Sequence, residues 1–351
     1  MRMQRTFKGL LVVVMMISVI VASAALTSCA PADPAEETHL VVEDALILGT
    51  VVTIRAHAPR DPEVLASQVR EVIEAMEELG CSLSVYCEDS ETVRVNEAGG
   101  RTVEVSPDFE RILGYALEVA ERTGGVFDPS VGPLVELWGF YSGEYRVPEE
   151  DEIAEALERV DWRRIRLEEG SVTIESGMQL DIEALLKGYI ADFALAELED
   201  LEVTGALVIA GPSSIAALGA AQGGRPWKVG LENPRDPGNI YGAVELADGE
   251  HISTSGDYQR YFIDESGQRR SHILDARTGK PVEGLMAATV ISDSSLGTDG
   301  ISTAVLPLDA EEAIALLEDW RGVDALVITA DREILFSGDM ERRVEMTADG
   351  L

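Results

Sequence analysis

His272, Asp299, Thr303 and Lys187 are the side chains whose types and settings could do chemistry in this 351-residue chain. His272 opens the segment His272-Ile273-Leu274-Asp275-Ala276-Arg277-Thr278-Gly279-Lys280-Pro281, where glycine, proline and small residues call for tight turns. A neutral imidazole there could take a proton from a hydroxyl. Asp275, or Asp257 of Thr254-Ser255-Gly256-Asp257-Tyr258, is available to orient it. In Thr298-Asp299-Gly300-Ile301-Ser302-Thr303-Ala304 a carboxylate and a hydroxyl stand four apart on a predicted helix, hence on one face. They offer the hard oxygens that Mg²⁺ prefers, with phosphate and water to complete the octahedron. Lys187, just ahead of Gly188, could lie as a point charge against a pyrophosphate. Asp181 precedes the same predicted helix, where it could cap it or accept hydrogen bonds from a ligand. Each pattern also has a structural reading. A bare D-x-x-x-T describes a capped helix, residues 180–192 an amphipathic helix, and a solitary histidine a satisfied structural residue.

These groups need elements to hold them. Leu46 to Ala58, rich in Val, Ile and Thr, predicts a strand, and apolar spacing predicts a helix from Pro62 to about Leu79. Ser106-Pro107 opens a second helix that Gly124-Gly125 stops after about Arg122, and a third covers Glu149 to Arg159. A hairpin-like stretch spans Ile165 to Ile174, a helix runs from about Ile182 to Leu198, and Ala206 to Ala210 reads as an apolar strand. Short β-rich runs fill Ser214 to Val290. Helices over Asp299–Leu306 and Ala310–Trp320 follow, then strands within Ala325–Phe336. Helices and strands mix without strict βαβ alternation, so the fold class is α+β: mixed β-sheets with packed helices in a single domain.

The first residues join basic Arg2, Arg5 and Lys8 to an apolar run from Leu10 to Leu26 and then Leu26-Thr27-Ser28-Cys29. This predicts a lipoprotein signal over 1–28, cleaved before a lipidated Cys29, with the protein lipid-anchored on the extracytoplasmic face of the cell membrane. Residues 29–39 read as a disordered tether, 40–340 as the domain and 341–351 as a tail. The formal net charge of −36 excludes nucleic acid as a partner. Four lysines in the whole chain make Lys187 and Lys280, both inside motifs, conspicuous. Cys81 and Cys87 are expected to be reduced, buried thiols, since a domain of this size does not need so short a staple. The histidines and cysteines have no zinc-ligand spacing.

Two further runs complete the pattern. Gly125-Val126-Phe127-Asp128-Pro129-Ser130-Val131-Gly132-Pro133-Leu134-Val135-Glu136-Leu137-Trp138-Gly139-Phe140 is a loop stiffened by Gly and Pro, with aromatics able to face a heterocycle. Ser84-Val85-Tyr86 is followed by Asp89-Ser90-Glu91 and Asn96. In order and wording these segments resemble the flavin transferases of the ApbE family, which move FMN from FAD onto a threonine or serine of another protein. The likeness runs from about residue 46 to 336.

The resemblance implies a single ApbE-like domain with FAD as substrate and Mg²⁺ as cofactor, the ion held by Asp299, Thr303 and the Ala184 carbonyl. It implies FAD contacts from Leu48, Tyr86, Val126, Phe127, Asp128, Asp181, Lys187 and Ile273. His272, Asp299 and Lys187 become the catalytic set, and acceptors would be exported flavin domains of membrane redox complexes or extracellular electron-transfer proteins. Hydrolysis of FAD to FMN and AMP would use the same metal site. A surface lipoprotein that only binds flavin is the third reading. This chain departs from the family at Leu48, where methionine is typical, at Glu183, where a small or neutral residue is usual, and at Ala276, usually proline. The turn Gly211-Pro212-Ser213 also replaces an N-x-G-G pattern.

Overall fold

Leu46 to Ala58 holds the end of one strand and the whole of another. β1 (His39–Ile47) and β2 (Thr50–Ala58) pair antiparallel with Ile47 opposite Thr50. The two residues between them, Leu48 and Gly49, take φ of 51° and 71°. Positive φ at both central positions matches the twist of the flanking strands, although leucine is strained there. The structure is a computed structural model that describes residues 38–348, 350 and 351; the predicted signal and Cys29 lie outside the described residues.

The chain continues through α1 (Pro62–Leu83), α2 (Glu91–Asn96), β3 (Val103–Glu104), α3 (Pro107–Arg122), α4 (Gly132–Leu137) and α5 (Glu150–Leu157). Asp61 caps α1 by accepting from the Glu63 and Val64 amides, and Ser106 caps α3 by accepting from Phe109. The hairpin β4 (Arg166–Glu168) and β5 (Ser171–Thr173) leads to α6 (Glu183–Asp200). Then come β6 (Gly205–Ala210), β7 (Ser214–Gly219), β8 (Trp227–Glu232), β9 (Ile240–Leu246), β10 (His251–Gly256), β11 (Tyr261–Ile263), β12 (Arg269–Ser271), β13 (Leu274–Asp275), β14 (Lys280–Pro281) and β15 (Leu285–Ser292). The chain closes with α7 (Ser295–Val305), α8 (Ala310–Asp319), β16 (Asp324–Thr329), β17 (Ile334–Ser337), α9 (Met340–Arg343) and β18 (Glu345–Met346).

The main sheet has eight strands in the order β1-β2-β6-β7-β10-β15-β16-β17, each pairing antiparallel. Period-two alternation divides its side chains between two cores. Ala206, Val208 and Ala210 face α1 and α6, while Leu207 and Ile209 point the other way. Further along, Val290, Ala325 and Val327 meet α7 and α8, while Ile291, Leu326 and Ile328 join the opposite core. That second face is covered by the sheet β18-β9-β8, whose Trp227, Val229 and Leu231 alternate with exposed Lys228, Gly230 and Glu232. With helices on one face and a small sheet on the other, the central strands read as nearly continuous apolar runs. Each fully buried Val, Leu or Ile stabilises the fold by about 1.5–3 kcal/mol.

Two expectations are corrected. Residues 341–351 are not a tail: β18 pairs with β9, Glu345 opposite Ala243, and Arg343 forms ion pairs with Glu250 and Asp324 at 2.6 and 2.8 Å. The predicted Asp299 helix begins four residues earlier, at Ser295, and its cap is Ser294, whose hydroxyl accepts from the Gly297 amide. Asp299 is therefore inside α7, and the capping alternative fails.

Candidate active site

A cavity of about 910 Å³ lies where the β1–β2 turn, the end of α1, the 127–140 loop, the start of α6, the β6–β7 turn, β10 and α7 converge. Its size suits a large organic ligand. Asp299, Thr303, Lys187, His272 and Ala184 all line it.

Asp299 reaches the cavity because α7 crosses α6 at Gly188. A Cβ on Gly188 would stand 2.3 Å from the Ser295 carbonyl oxygen. The Gly188 amide donates to Asp299 Oδ2 at 2.7 Å, and the Ser214 hydroxyl donates to Oδ1 at 2.6 Å. In a regular helix the Gly188 amide would close on the Ala184 carbonyl. Asp299 competes for that donor, and the carbonyl of Ala184, a residue that lines the cavity, keeps acceptor capacity to spare. One turn on from Asp299, Thr303 Oγ1 lies 3.0 Å from Ser255 Oγ. Burial raises the Asp299 carboxyl above its usual range, and the Lys187 charge and the hydrogen bonds oppose that rise. A bound cation would favour the ionised form further. One carboxylate, one hydroxyl and one carbonyl make a hard-oxygen set that fits Mg²⁺. No group of three or more His, Cys, Asp and Glu that could hold a metal occurs among the described residues.

His272 is oriented by neither predicted carboxylate. Asp275 is engaged by Arg277, and Asp257 by Arg235 through two contacts of 2.7 Å. The main chain does the orienting: His272 Nδ1 lies 3.0 Å from the Arg260 carbonyl oxygen, and the His272 amide donates to the same oxygen at 3.0 Å. A carbonyl only accepts, so Nδ1 carries the proton and Nε2 keeps its lone pair. Burial first, then the charges of Lys187 and Arg260, push the imidazole down to about 4, despite the hydrogen bond to Arg260. It is neutral at pH 7, the form a base requires.

Lys187 is the one lysine of the described fold set in this cavity. Lys228 and Lys280 form exposed ion pairs with Glu345 and Glu150. Asp181 Oδ1 accepts from the Glu183 amide at 2.9 Å in a local turn ahead of α6, whose cap position is Ile182, and Oδ2 accepts from Tyr141 at 2.7 Å. Tyr86 lies edge-on to Tyr141 with ring centres 5.9 Å apart, and its hydroxyl accepts from Arg260 Nη1 at 3.0 Å. Leu48, Phe127 and Ile273 supply apolar wall.

Two predicted contacts are placed differently. Val126 is not on the wall: it is packed in the core beneath α7, and its carbonyl accepts from the Ala276 amide at 3.2 Å. Asp128 borders the cavity, but Oδ1 accepts from the Ser130 amide and hydroxyl at 2.8 and 2.6 Å, and Oδ2 accepts from the Trp162 amide at 2.9 Å. Its carboxylate organises the loop.

The departures are accommodated. Glu183 accepts from the Ser84 hydroxyl and the Val85 amide, each at 2.7 Å, and burial beside Asp181 raises its carboxyl to about 7. The turn Gly211-Pro212-Ser213 still joins β6 to β7 with Ala210 opposite Ser214. Its Gly211 has φ of 67°, and a Cβ there would meet Thr50 Oγ1 at 2.6 Å.

Cys81 and Cys87, expected as free thiols, form a disulfide at the cavity edge. Their spacing of six and the predicted export signal both permitted the bond, and core size was the wrong criterion because the bond is local. Sequence reasoning also missed Arg260, Tyr141 and Ser214. Arg260 lies two residues beyond Tyr258, and Tyr141 one residue beyond the loop motif. Neither had a pattern of its own to mark it.

With the geometry in hand, comparisons with known proteins are specific. The ApbE family model matches residues 48–327. A FAD:protein FMN transferase of Treponema pallidum is 32% identical over 319 residues, covering 86% of this chain and 88% of the relative. One of Klebsiella pneumoniae is 31% identical, covering 85% and 92%. Among solved structures, the ApbE protein of Thermotoga maritima matches with a TM-score of 0.78 at 28% identity, over 87% of this chain and 99% of that one. The apo flavinyl transferase ApbE of Pseudomonas stutzeri matches with a TM-score of 0.75 at 29% identity, over 87% and 97%.

Proposed function

The chain belongs to the ApbE family, and from that premise we propose that it is a Mg²⁺-dependent FAD:protein FMN transferase acting on a threonine or serine hydroxyl of an exported flavoprotein. One observation carries this reading. A neutral imidazole, an ammonium and a hard-oxygen set border one cavity of a size to take FAD.

In the reaction the acceptor oxygen attacks the FMN-side phosphorus of FAD and forms a phosphodiester. The bond to the AMP-side bridging oxygen breaks, and AMP departs with the electron pair. The acceptor proton passes to His272 Nε2, which is free because Nδ1 is held by the Arg260 carbonyl. Lys187 sets a positive charge against the phosphates. Asp299, Thr303 and the Ala184 carbonyl would hold Mg²⁺, which when bound neutralises charge on the pyrophosphate oxygens. Positioning and electrostatics supply most of the acceleration, as in phosphoryl transfer generally.

The predicted signal and Cys29 support a lipid-anchored protein on the extracytoplasmic face of the membrane, meeting flavin domains of membrane redox complexes or of extracellular electron-transfer proteins. Incubation with FAD, Mg²⁺ and a serine- or threonine-bearing acceptor domain tests the reading. An acceptor mass increased by one FMN unit, with AMP released and both abolished by EDTA, is expected. AMP release without acceptor labelling would point to hydrolysis, and bound FAD without AMP to a flavin-binding protein.

A further inference from the structure

The segment joining α1 to α2 holds itself by unusual means. Past Leu83 it has no regular structure, yet it carries Tyr86 into the cavity wall with 52% of its surface exposed. So exposed a side chain has little packing to fix it. Within the segment the Tyr86 amide donates to Ser84 Oγ at 3.1 Å and the Cys87 amide to the Ser84 carbonyl at 3.2 Å, and two clamps tie it to its neighbours. Glu183 of α6 accepts from Ser84 and Val85, and the Cys81–Cys87 disulfide ties the segment back to the last turn of α1.

Both cysteines border the cavity. A bond across six residues closes a short loop, so its effect on the unfolded chain is modest beside the core of a domain this large. Its effect is local. The ring it closes contains Ser84 and Tyr86, and the Tyr86 hydroxyl is tied to the Arg260 guanidinium. The bond is also reachable, since Cys81 is exposed.

Resting on the proposed FAD chemistry, we propose that the Cys81–Cys87 disulfide is a positioning element of the flavin site, holding the Tyr86 wall in its binding geometry before FAD arrives. The His272 ring keeps its orientation, because the Arg260 carbonyl that holds Nδ1 belongs to the main chain. The disulfide therefore acts on affinity and not on the chemical step.

The test is FAD binding, followed by flavin fluorescence, in the full-length protein before and after reduction with dithiothreitol. The dithiol gives up two electrons and two protons, Cys81 and Cys87 become thiols, and alkylation with mass analysis counts them. Reduction is expected to raise the Kd for FAD about five- to tenfold, the scale of ordering a freed side chain and its short loop. The single-turnover rate at saturating FAD should change less than twofold. A Cys81→Ser/Cys87→Ser variant should show the weakened Kd without reductant and no response to it. Equal affinity of the oxidised and reduced proteins overturns the inference. So does a reduced protein whose melting temperature, affinity and rate fall together, since the bond would then serve the whole fold. If the oxidised protein itself fails to bind FAD, the proposed function fails, and that result is distinct from either.

Discussion

Replacing Gly188 by alanine strikes the point where fold and chemistry meet. The added Cβ would lie 2.3 Å from the Ser295 carbonyl oxygen, 2.7 Å from its carbon and 3.0 Å from Asp299 Oδ2. Carbon and oxygen settle at about 3.3 Å or more, so α6 and α7 must part by roughly 1 Å. Backbone carbonyls cannot turn aside as a flexible side chain can. Overpacking of this kind costs about 1–3 kcal/mol, and each kcal/mol lowers Tm by roughly 1.5 °C in a domain of this size. The same movement displaces Asp299, whose Oδ2 accepts from the Gly188 amide. A displacement near 1 Å at a reacting site costs about 10²-fold in rate. Calorimetry and single-turnover AMP release at saturating FAD measure the two effects separately. Wild-type Tm together with a wild-type rate would refute the argument that the helix crossing sets the Asp299 position.

Other substitutions isolate single roles. His272→Ala should lower the transfer rate by about 10²–10⁴-fold. In the wild type the imidazole takes up its proton only near pH 4, so a break near 6.5 in kcat at saturating FAD that persists in Glu183→Gln, which removes the carboxyl raised to about 7, would contradict that. The same shift appears in stability. The unfolded imidazole binds its proton near 6.5 and the folded one near 4, so between these values the unfolded state holds more protons and stability falls as pH falls. His272→Ala should therefore gain on the wild type by up to about 3 kcal/mol from pH 6.5 to 4, measured by denaturant melts. Comparing variant with wild type is necessary because Glu183, raised to about 7, acts with the opposite sign between 4.5 and 7. Asp128→Ala should cost about 2–3 kcal/mol by freeing the donors on Ser130 and Trp162, and should raise KM for FAD. An unchanged melting temperature would contradict its place as the loop's organiser.

The sequence carried the chemistry better than the connections that orient it. Asp299 and Thr303 were legible because a spacing of four survives any shift in where a helix begins, and α7 does begin earlier than predicted. The α+β class was legible because period-two runs lacked βαβ alternation. The Leu48-Gly49 hairpin turn was hidden, since leucine gives no sign of a residue at positive φ. The partner of His272 was misread because nearby carboxylates are visible in a sequence, whereas a main-chain carbonyl that any residue could supply is not. Asp128 illustrates the converse. A carboxylate in a ligand-lining motif can spend all its capacity on its own loop. Arg260 and the disulfide become meaningful only once Tyr86 is seen between them.

On the proposed function, this cavity moves FMN from FAD to a hydroxyl through His272, Lys187 and a metal that Asp299 would hold. The most direct measurement is the mass of an acceptor flavin domain after incubation with the full-length protein, FAD and Mg²⁺, with AMP counted in parallel and Asp299→Ala as control. One FMN unit gained per acceptor is expected, matched by AMP, with EDTA or the substitution stopping both. FAD that stays bound and intact beside an unmodified acceptor, with Mg²⁺ present, would contradict it.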